Sequence, residues 1–462
     1  MTSSEAFESA VEGAAKMELS RQLARYSLDL SYDDLPERVV SFTKLCILDY
    51  FGSAIAGSDK KPVQMISDLV DEMGGYEQAK LFTGGKSSAI NAALVNGAAS
   101  HVMELDDIHK GSIIHAATVV IPAALAIAEW KQLSGKELIT AVVAGYEVCF
   151  RIGEAVSPSH YYYWHNTATC GTFGAAAAAG KLLGLSEDEM VSALGNAGSQ
   201  AAGLWEFIVD GAMTKQLHTG KAAMNGTMAA LLAQKGFTGP KKILEGDRGF
   251  FNAMSEEHDV SRITENLGQE FKILENSFKI HASCRHTHHA VDLLIDIFKE
   301  QHPALEDIES VEVDSYQVAL NITDDVDPQT EYAAKFSLQF CSALALLNGR
   351  ASLEDFNGDK LWDEEIRSLV KKVNVHMDPA IDGSYPKQWG AAVNVLLKGG
   401  EKIQKQTDFP KGDPENAVTS EELLEKFMGI ATKLPTKKRQ ALAKSLMELE
   451  SIGNISDLMA TL

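Results

Sequence analysis

The sequence predicts a mostly helical protein with an α+β insertion: a large all-helical domain built from both chain ends, residues 18–274 and 411–462, and a smaller α+β domain over 275–410. Three observations carry that expectation. From Glu18 to about Lys272, apolar residues recur at helical spacing in alanine-rich segments separated by glycines, with very few alternating runs. After about Asn276, short runs alternate apolar with polar, as half-buried strands do. From Thr419 the helical pattern returns, so the carboxyl terminus rejoins the first domain.

Taken in order, Asp34-Leu35-Pro36-Glu37 places a proline near the first turn of a helix, and Ser186 to Glu189 has the form of a capping box. The stretch Gly171–Leu185, GTFGAAAAAGKLLGL, is a helix with almost no side-chain bulk on several faces, suited to close packing or to bringing backbone near a ligand. Val311, Val313 and Ser315, then KKVNVHM around Val373 and Val375, then AAVNVLLKG, read as strands. Helical stretches lie between and around them, at His286–Gln301, Tyr332–Asn348 and Glu364–Lys371, and the order suggests a split βαβ arrangement. Thr419 and Glu422 have capping-box spacing, and Pro435 opens a last helix.

Composition narrows the function. The chain has 462 residues, with 42 Lys+Arg against 64 Asp+Glu, a formal charge of −22 that argues against a nucleic-acid ligand. Hydrophobic residues make up 45% and charged residues 23%, values of a packed globular chain. The five cysteines, Cys46, Cys149, Cys170, Cys284 and Cys341, are odd in number and form no CxxC pair, which fits a reducing cytoplasm. The first residues, MTSSEAFESAVEGAAK, lack the basic start and apolar block of a signal peptide, and the longest uncharged apolar run, Ala116–Ala128, is shorter than the roughly 20 residues of a membrane span. A cytoplasmic protein that neither crosses nor leaves a membrane is expected.

Four clusters place titratable groups inside apolar or glycine-rich sequence, where burial demands partners or a purpose. The first runs from His101 through Glu104, Asp106, Asp107 and His109 to His115. It reads either as a helix end with satisfied charges or as an acid/base site, with His115 moving a proton and Glu104 or Asp106 orienting it. The second, HYYYWHNTATCG, sets His165 and aromatics before the small-residue helix, as a core lid or as a place for an anion at a helix start. The third, MTKQLHTGK, holds Lys215, His218 and Lys221 among small residues, as solvated cations or as a cationic pocket.

The fourth, FKIHASCRHTHH, contains Lys279, Cys284, Arg285 and four histidines. It invites a metal, but HExxH spacing and CxxC pairs are both missing, and no metal is expected. Nor is there a GxGxxG after a strand, a GxxxxGKS/T or a GxSxG. Beside Lys279, Arg285 and His286, Cys284 reads as a thiol biased toward the thiolate and able to act as a base, or as an inert core cysteine.

These four stretches resemble the signature segments of the MmgE/PrpD family, which includes 2-methylcitrate dehydratases, cis-aconitate decarboxylases and iminodisuccinate epimerases. The landmarks are LVNGAASHVMELDD (Leu94–Asp107), AGYEVCFRIGEA (Ala144–Ala155), GTFGAAAAAGKLLGL, TKQLHTGKAAMNG (Thr214–Gly226) and AKFSLQFC (Ala334–Cys341). The resemblance implies a dimer, an active site between a helical and an α+β domain, and no cofactor. By position it implies an active site drawing on Glu104, Asp106, Asp107 and His115, then His165, Lys215 and Lys279. Cis-aconitate decarboxylases resemble Asp-Phe-Asp-Asp-Thr where this chain has Glu104–Ile108, and a histidine where it has Cys284; the epimerases look closer at that cysteine.

The chemistry shared by these enzymes is consistent with the residues. Removing a proton or CO2 beside a carboxylate leaves charge on carboxylate oxygens, which aimed cations such as Lys215 and Lys279 stabilise. His115 and His165 are the natural proton carriers near neutral pH. The expectation is a cofactor-free lyase acting on a small di- or tricarboxylate, with an epimerase of an iminodisuccinate-like acid, a non-catalytic helical scaffold and a metallohydrolase as rivals.

Overall fold

The computed structural model describes residues 18–462. The reading of the first residues as lacking a signal peptide therefore lies outside the described residues. The chain divides into two compact units. Of the described residues, one comprises 18–102, Asp106–Asn276 and Ser420–Leu462; the other comprises Ser277–Thr419 together with the short piece Met103–Leu105.

The first unit is helical. Its main helices are α1 (Leu19–Asp29), α2 (Glu37–Gly57), α3 (Lys61–Met73), α4 (Ala89–His101), α5 (Ala117–Lys131), α6 (Gly135–Val156), α7 (Asn166–Leu182), α8 (Glu187–Gly198) and α9 (Thr214–Gln234). Pro36 stands at the N-cap of α2, one position before the helix, and Ser186 and Glu189 form the expected reciprocal box at the start of α8. Ser134 and Glu137 make a second such box on α6.

Small residues set the packing of this unit. A Cβ on Gly97 of α4 would lie 2.9 Å from the Thr118 carbonyl and 3.0 Å from the Gly220 Cα. One on Gly226 of α9 would meet backbone of α7 at Ala176 and Thr172, both at 2.7 Å. Helix α9 thus lies against α4 and α7 at backbone contact, which side chains of ordinary size would forbid.

Helix α2 is long and apolar enough to cross a membrane, a candidate missed by considering only Ala116–Ala128, but 78% of its apolar window is buried inside the unit. It is also tied to the returning carboxyl-terminal segment. Lys426 pairs with Asp49 at 2.5 Å, and Lys44 with Glu450 at 2.9 Å. Burying those charges is tolerable because each is paired. The returning segment forms helices Ser420–Ile430 and Thr436–Met447, the latter preceded by Pro435 as N-cap.

The second unit holds a four-stranded sheet. Its strands are β1 (Ile308–Ser315), β2 (Val373–Met377), β3 (Ala391–Leu397) and β4 (Lys402–Thr407), in spatial order β2-β1-β3-β4. β1 and β2 are parallel neighbours, Val311 facing Val373, while β3 runs antiparallel to β1. The crossover is therefore an adjacent βαβ unit and not the split arrangement expected. Val311, Val313, Val373, Val393, Val395 and Ile403 are buried, and helix α10 (Arg285–Gln301) packs on β3 and β4. β4 escapes a reading for alternation because Ile403 is its one buried residue. The expected helix Tyr332–Asn348 is interrupted: Ser337 caps a new helix, α11 (Leu338–Asn348), by accepting from the Phe340 amide.

Candidate active site

In the first unit, helix ends deliver the titratable groups. His101 is the last residue of α4, His115 lies two residues before α5, His165 is the N-cap of α7, and Lys215 and His218 fall in the first turns of α9. The rings come together: His101 to His115 at 4.9 Å between centroids, His101 to His165 at 6.1 Å, and His165 to His218 at 5.5 Å. All are buried, as is Lys215.

Asp106 is the anionic centre of this group. Its Oδ2 accepts from His101 Nδ1 at 2.7 Å and faces His115 Nδ1 at 3.1 Å. Burial alone would raise its pKa, but the charge and hydrogen bonds of the two imidazoles hold it well below the usual carboxylate range. Its other oxygen, Oδ1, is buried and has no hydrogen-bond partner among the described residues.

His115 Nδ1 also lies 2.7 Å from the Asp107 carbonyl oxygen. A carbonyl only accepts, so Nδ1 carries a proton, and in its neutral form the ring presents its lone pair at Nε2. The Asp107 carboxylate anchors the same stretch, accepting from Tyr146 Oη (2.7 Å), Asn276 Nδ2 (2.5 Å) and the Ala117 amide at the start of α5 (3.0 Å). Burial pushes it up to about 7 against those donors.

His165 Nδ1 and His218 Nδ1 are 3.3 Å apart, so one donates to the other. Burial, then each other's charge and that of Lys215, hold the His165 pKa well below its ordinary value; His218 falls to about 4, chiefly through burial. Two neutral imidazoles beside a lysine result, with Trp205 and Phe207 packed against His165.

In the second unit, Lys279 Nζ donates to Glu104 Oε2 at 3.0 Å and to the Glu104 carbonyl at 3.2 Å, the two side chains each 1% exposed. Cys284 is the buried N-cap residue of α10. The charges expected to favour its thiolate have other commitments: Arg285 pairs with Asp413, and His286 Nδ1 bonds Tyr316 Oη at 2.7 Å while its ring stacks on Trp389.

The histidine-rich run disperses. His281 bonds Asp292, His288 lies against Arg285 and the Ser283 carbonyl, and His289 bonds Ser315. Among the described residues, the groups close enough to share an ion are His101–Asp106–His115 and His109–Glu154–Glu275. In the first, the two nitrogens nearest the carboxylate are those that carry protons. In the second, Lys272 already pairs with both glutamates, at 3.2 and 3.1 Å.

Thus the first unit gathers Asp106, His115, His165 and Lys215, and the second pairs Glu104 with Lys279. Sequence reasoning did not select His101 and His218 as site residues. His218 was detectable, since it lies three positions after Lys215 and so on the same helical face.

A domain model described as MmgE/PrpD N-terminal domain matches residues 21–263, and one described as MmgE/PrpD C-terminal domain matches 281–449. Cis-aconitate decarboxylase of Aspergillus terreus is 27% identical, covering 97% of this chain and 96% of its own. The human cis-aconitate decarboxylase is 27% identical over 94% of this chain and 92% of its own. The 2-methylcitrate dehydratase of Salmonella typhimurium is 25% identical over 56% of each. With one model spanning more than half of the chain and a second most of the remainder, this protein belongs to the MmgE/PrpD family.

Proposed function

We propose that this protein is a lyase acting at the carbon next to a carboxylate of a small di- or tricarboxylate, as the names of its relatives suggest. The observation that carries the reading is the Asp106–His115 pair with its fixed tautomer. His115 Nε2 takes the proton from the carbon, and Asp106 stabilises the imidazolium that forms. Lys215 stabilises the charge that spreads onto the carboxylate oxygens. The starts of α7 and α9 add positive ends in the same place, so a polyanion is favoured locally despite the net charge of −22. In the second unit, Lys279 is a further carboxylate-binding cation.

A dehydratase is among the relatives, so dehydration of a hydroxy polycarboxylate, in which the imidazolium of His115 returns its proton to the departing hydroxide and water leaves, is the first reaction to assay. Incubation of a panel of citrate-like and aconitate-like acids in deuterated water, followed by NMR, reads both proton exchange and product. Exchange and elimination support the reading; neither on any acid in the panel refutes it. Cys284→Ala separates the lyase from the epimerase: lyase turnover survives the substitution, whereas inversion through a thiol base is abolished.

The protein is further proposed to be a cytoplasmic homodimer. Its five free cysteines are buried, and Tyr162, Tyr163, Leu204, Val209, Met213 and Leu217 expose apolar surface on two neighbouring segments joined by the Trp164–Leu204 bridge. Light scattering after gel filtration tests the dimer, and cell fractionation tests the compartment.

A further inference from the structure

Glu104 is a buried residue in the left-handed backbone region, φ +57°, where a side chain is disfavoured. Such a conformation persists only where the surroundings impose it. Here two buried lysines of the second unit do so. Lys279 Nζ grips both the carbonyl and the carboxylate of Glu104, and Lys335 Nζ donates to the Met103 carbonyl at 3.0 Å. These contacts join Met103–Leu105 to the second unit, although Val102 and Asp106 on either side belong to the first.

A carboxylate seated on a buried ammonium is the contact that a carboxylate ligand would make with the same lysine. We infer that Lys279 is a carboxylate-binding site whose occupant in the ligand-free protein is Glu104, and that a small polycarboxylate binds by taking the place of the Glu104 carboxylate on Nζ. The inference rests on the assignment of Lys279 as a ligand-binding cation. Exchanging one carboxylate for another keeps the ammonium paired throughout and so avoids the large penalty of an isolated buried charge. The Glu104 side chain, released from that contact, is freed to turn away from Nζ while the carbonyl contact remains. Lys335 holds the Met103 carbonyl, not the Glu104 side chain, which keeps the segment attached while Glu104 moves.

An internal competitor lowers apparent affinity by the fraction of molecules in which it occupies the site. Removing it therefore tightens binding. The test is calorimetric titration of the full-length protein with citrate, comparing the unmodified chain with Glu104→Gln, Glu104→Gly and Lys279→Met. Glycine accepts the backbone conformation at 104 without strain, so Glu104→Gly remains informative if the glutamine variant folds poorly. Both Glu104 variants are expected to bind citrate about tenfold more tightly or better, and Lys279→Met added to either removes the gain. Unchanged or weaker binding in the Glu104 variants, with Lys279→Met alone weakening it, overturns the displacement and leaves Lys279 as a ligand cation. Citrate binding unaffected by Lys279→Met alone overturns the assignment of Lys279 itself, and the displacement with it.

Discussion

Asp106→Asn is the substitution that bears most directly on the proton-transfer scheme. It keeps the shape of the side chain and removes the charge that faces His115 Nδ1 at 3.1 Å and His101 Nδ1 at 2.7 Å. A hydrogen bond to a charged group contributes about 1.5–3 kcal/mol, and at about 1.4 kcal/mol per decade its loss from the transition state lowers kcat roughly 10- to 150-fold. The loss stops there because the Asp107 carbonyl, 2.7 Å from Nδ1, still holds the proton on that nitrogen. Were the tautomer to flip, a fall of about 10⁴-fold would be expected, as when a triad aspartate is replaced. The assay is kcat and KM on the best polycarboxylate from the exchange screen, measured from pH 5 to 9, beside denaturation curves carried into the acid range below the unfolded carboxylate value of about 4. The folded-state pKa of Asp106 is lowered, so its contribution to stability is present above the unfolded value and is lost as pH falls through the folded one. Asp106→Asn therefore loses less stability than the parent on acidification. A kcat within threefold of the parent would falsify the assignment of His115 as the base.

Lys215→Ala removes a cation from the proposed transition-state contacts and lowers turnover by about 10²-fold or more, read by steady-state kinetics. Lys279→Ala breaks the buried pair with Glu104, so its unfolding free energy falls by about 3–5 kcal/mol in a urea titration. Purified protein holds no stoichiometric zinc, iron or copper, and its activity survives chelation; about one equivalent per chain, lost together with activity, overturns that reading. Asp107, raised to about 7, stays protonated in the folded protein at pH values where the unfolded chain has lost its proton. Its contribution is therefore full below the unfolded value, near 4, and is lost as pH rises through about 7. Denaturation curves of Asp107→Asn are expected to flatten over that interval.

Much of the fold could be read because local pattern and tertiary role coincide. The capping box at Ser186, the alternation in β1 and the helical return after Thr419 are statements about neighbouring residues, and neighbours suffice to read them. What escaped depends on distant partners. β4 is an edge strand with one buried side chain, so nothing in KIQKQT alone marks it. The assignment of Met103–Leu105 to the second unit is set by Lys279 and Lys335, more than 170 residues away. At the candidate site the same division holds. Carboxylates and imidazoles embedded in apolar sequence mark a place where chemistry is affordable, but their pairing follows from packing. Four histidines in nine residues invite a single centre, which the missing HExxH and CxxC spacing argues against, and each takes a different partner around the start of α10.

The alanine- and glycine-rich composition and the acid–base cluster are two sides of one design. Residues of four helices can bring their ends within a few ångströms only if the bodies of those helices cross closely, and close crossing needs small residues at the contact. Gly220 of α9 makes the point: a Cβ there would lie 2.3 Å from the Leu94 carbonyl of α4. Its nearest neighbour across the helices is Leu94, yet it helps to set how near the start of α9, with Lys215 and His218, comes to the end of α4, with His101. A displacement of 1 Å at reacting atoms costs on the order of 100-fold in rate. On the proposed reading, the small-residue stripes are therefore part of the active-site geometry, and their glycines constrain catalysis from beyond the groups that meet the substrate.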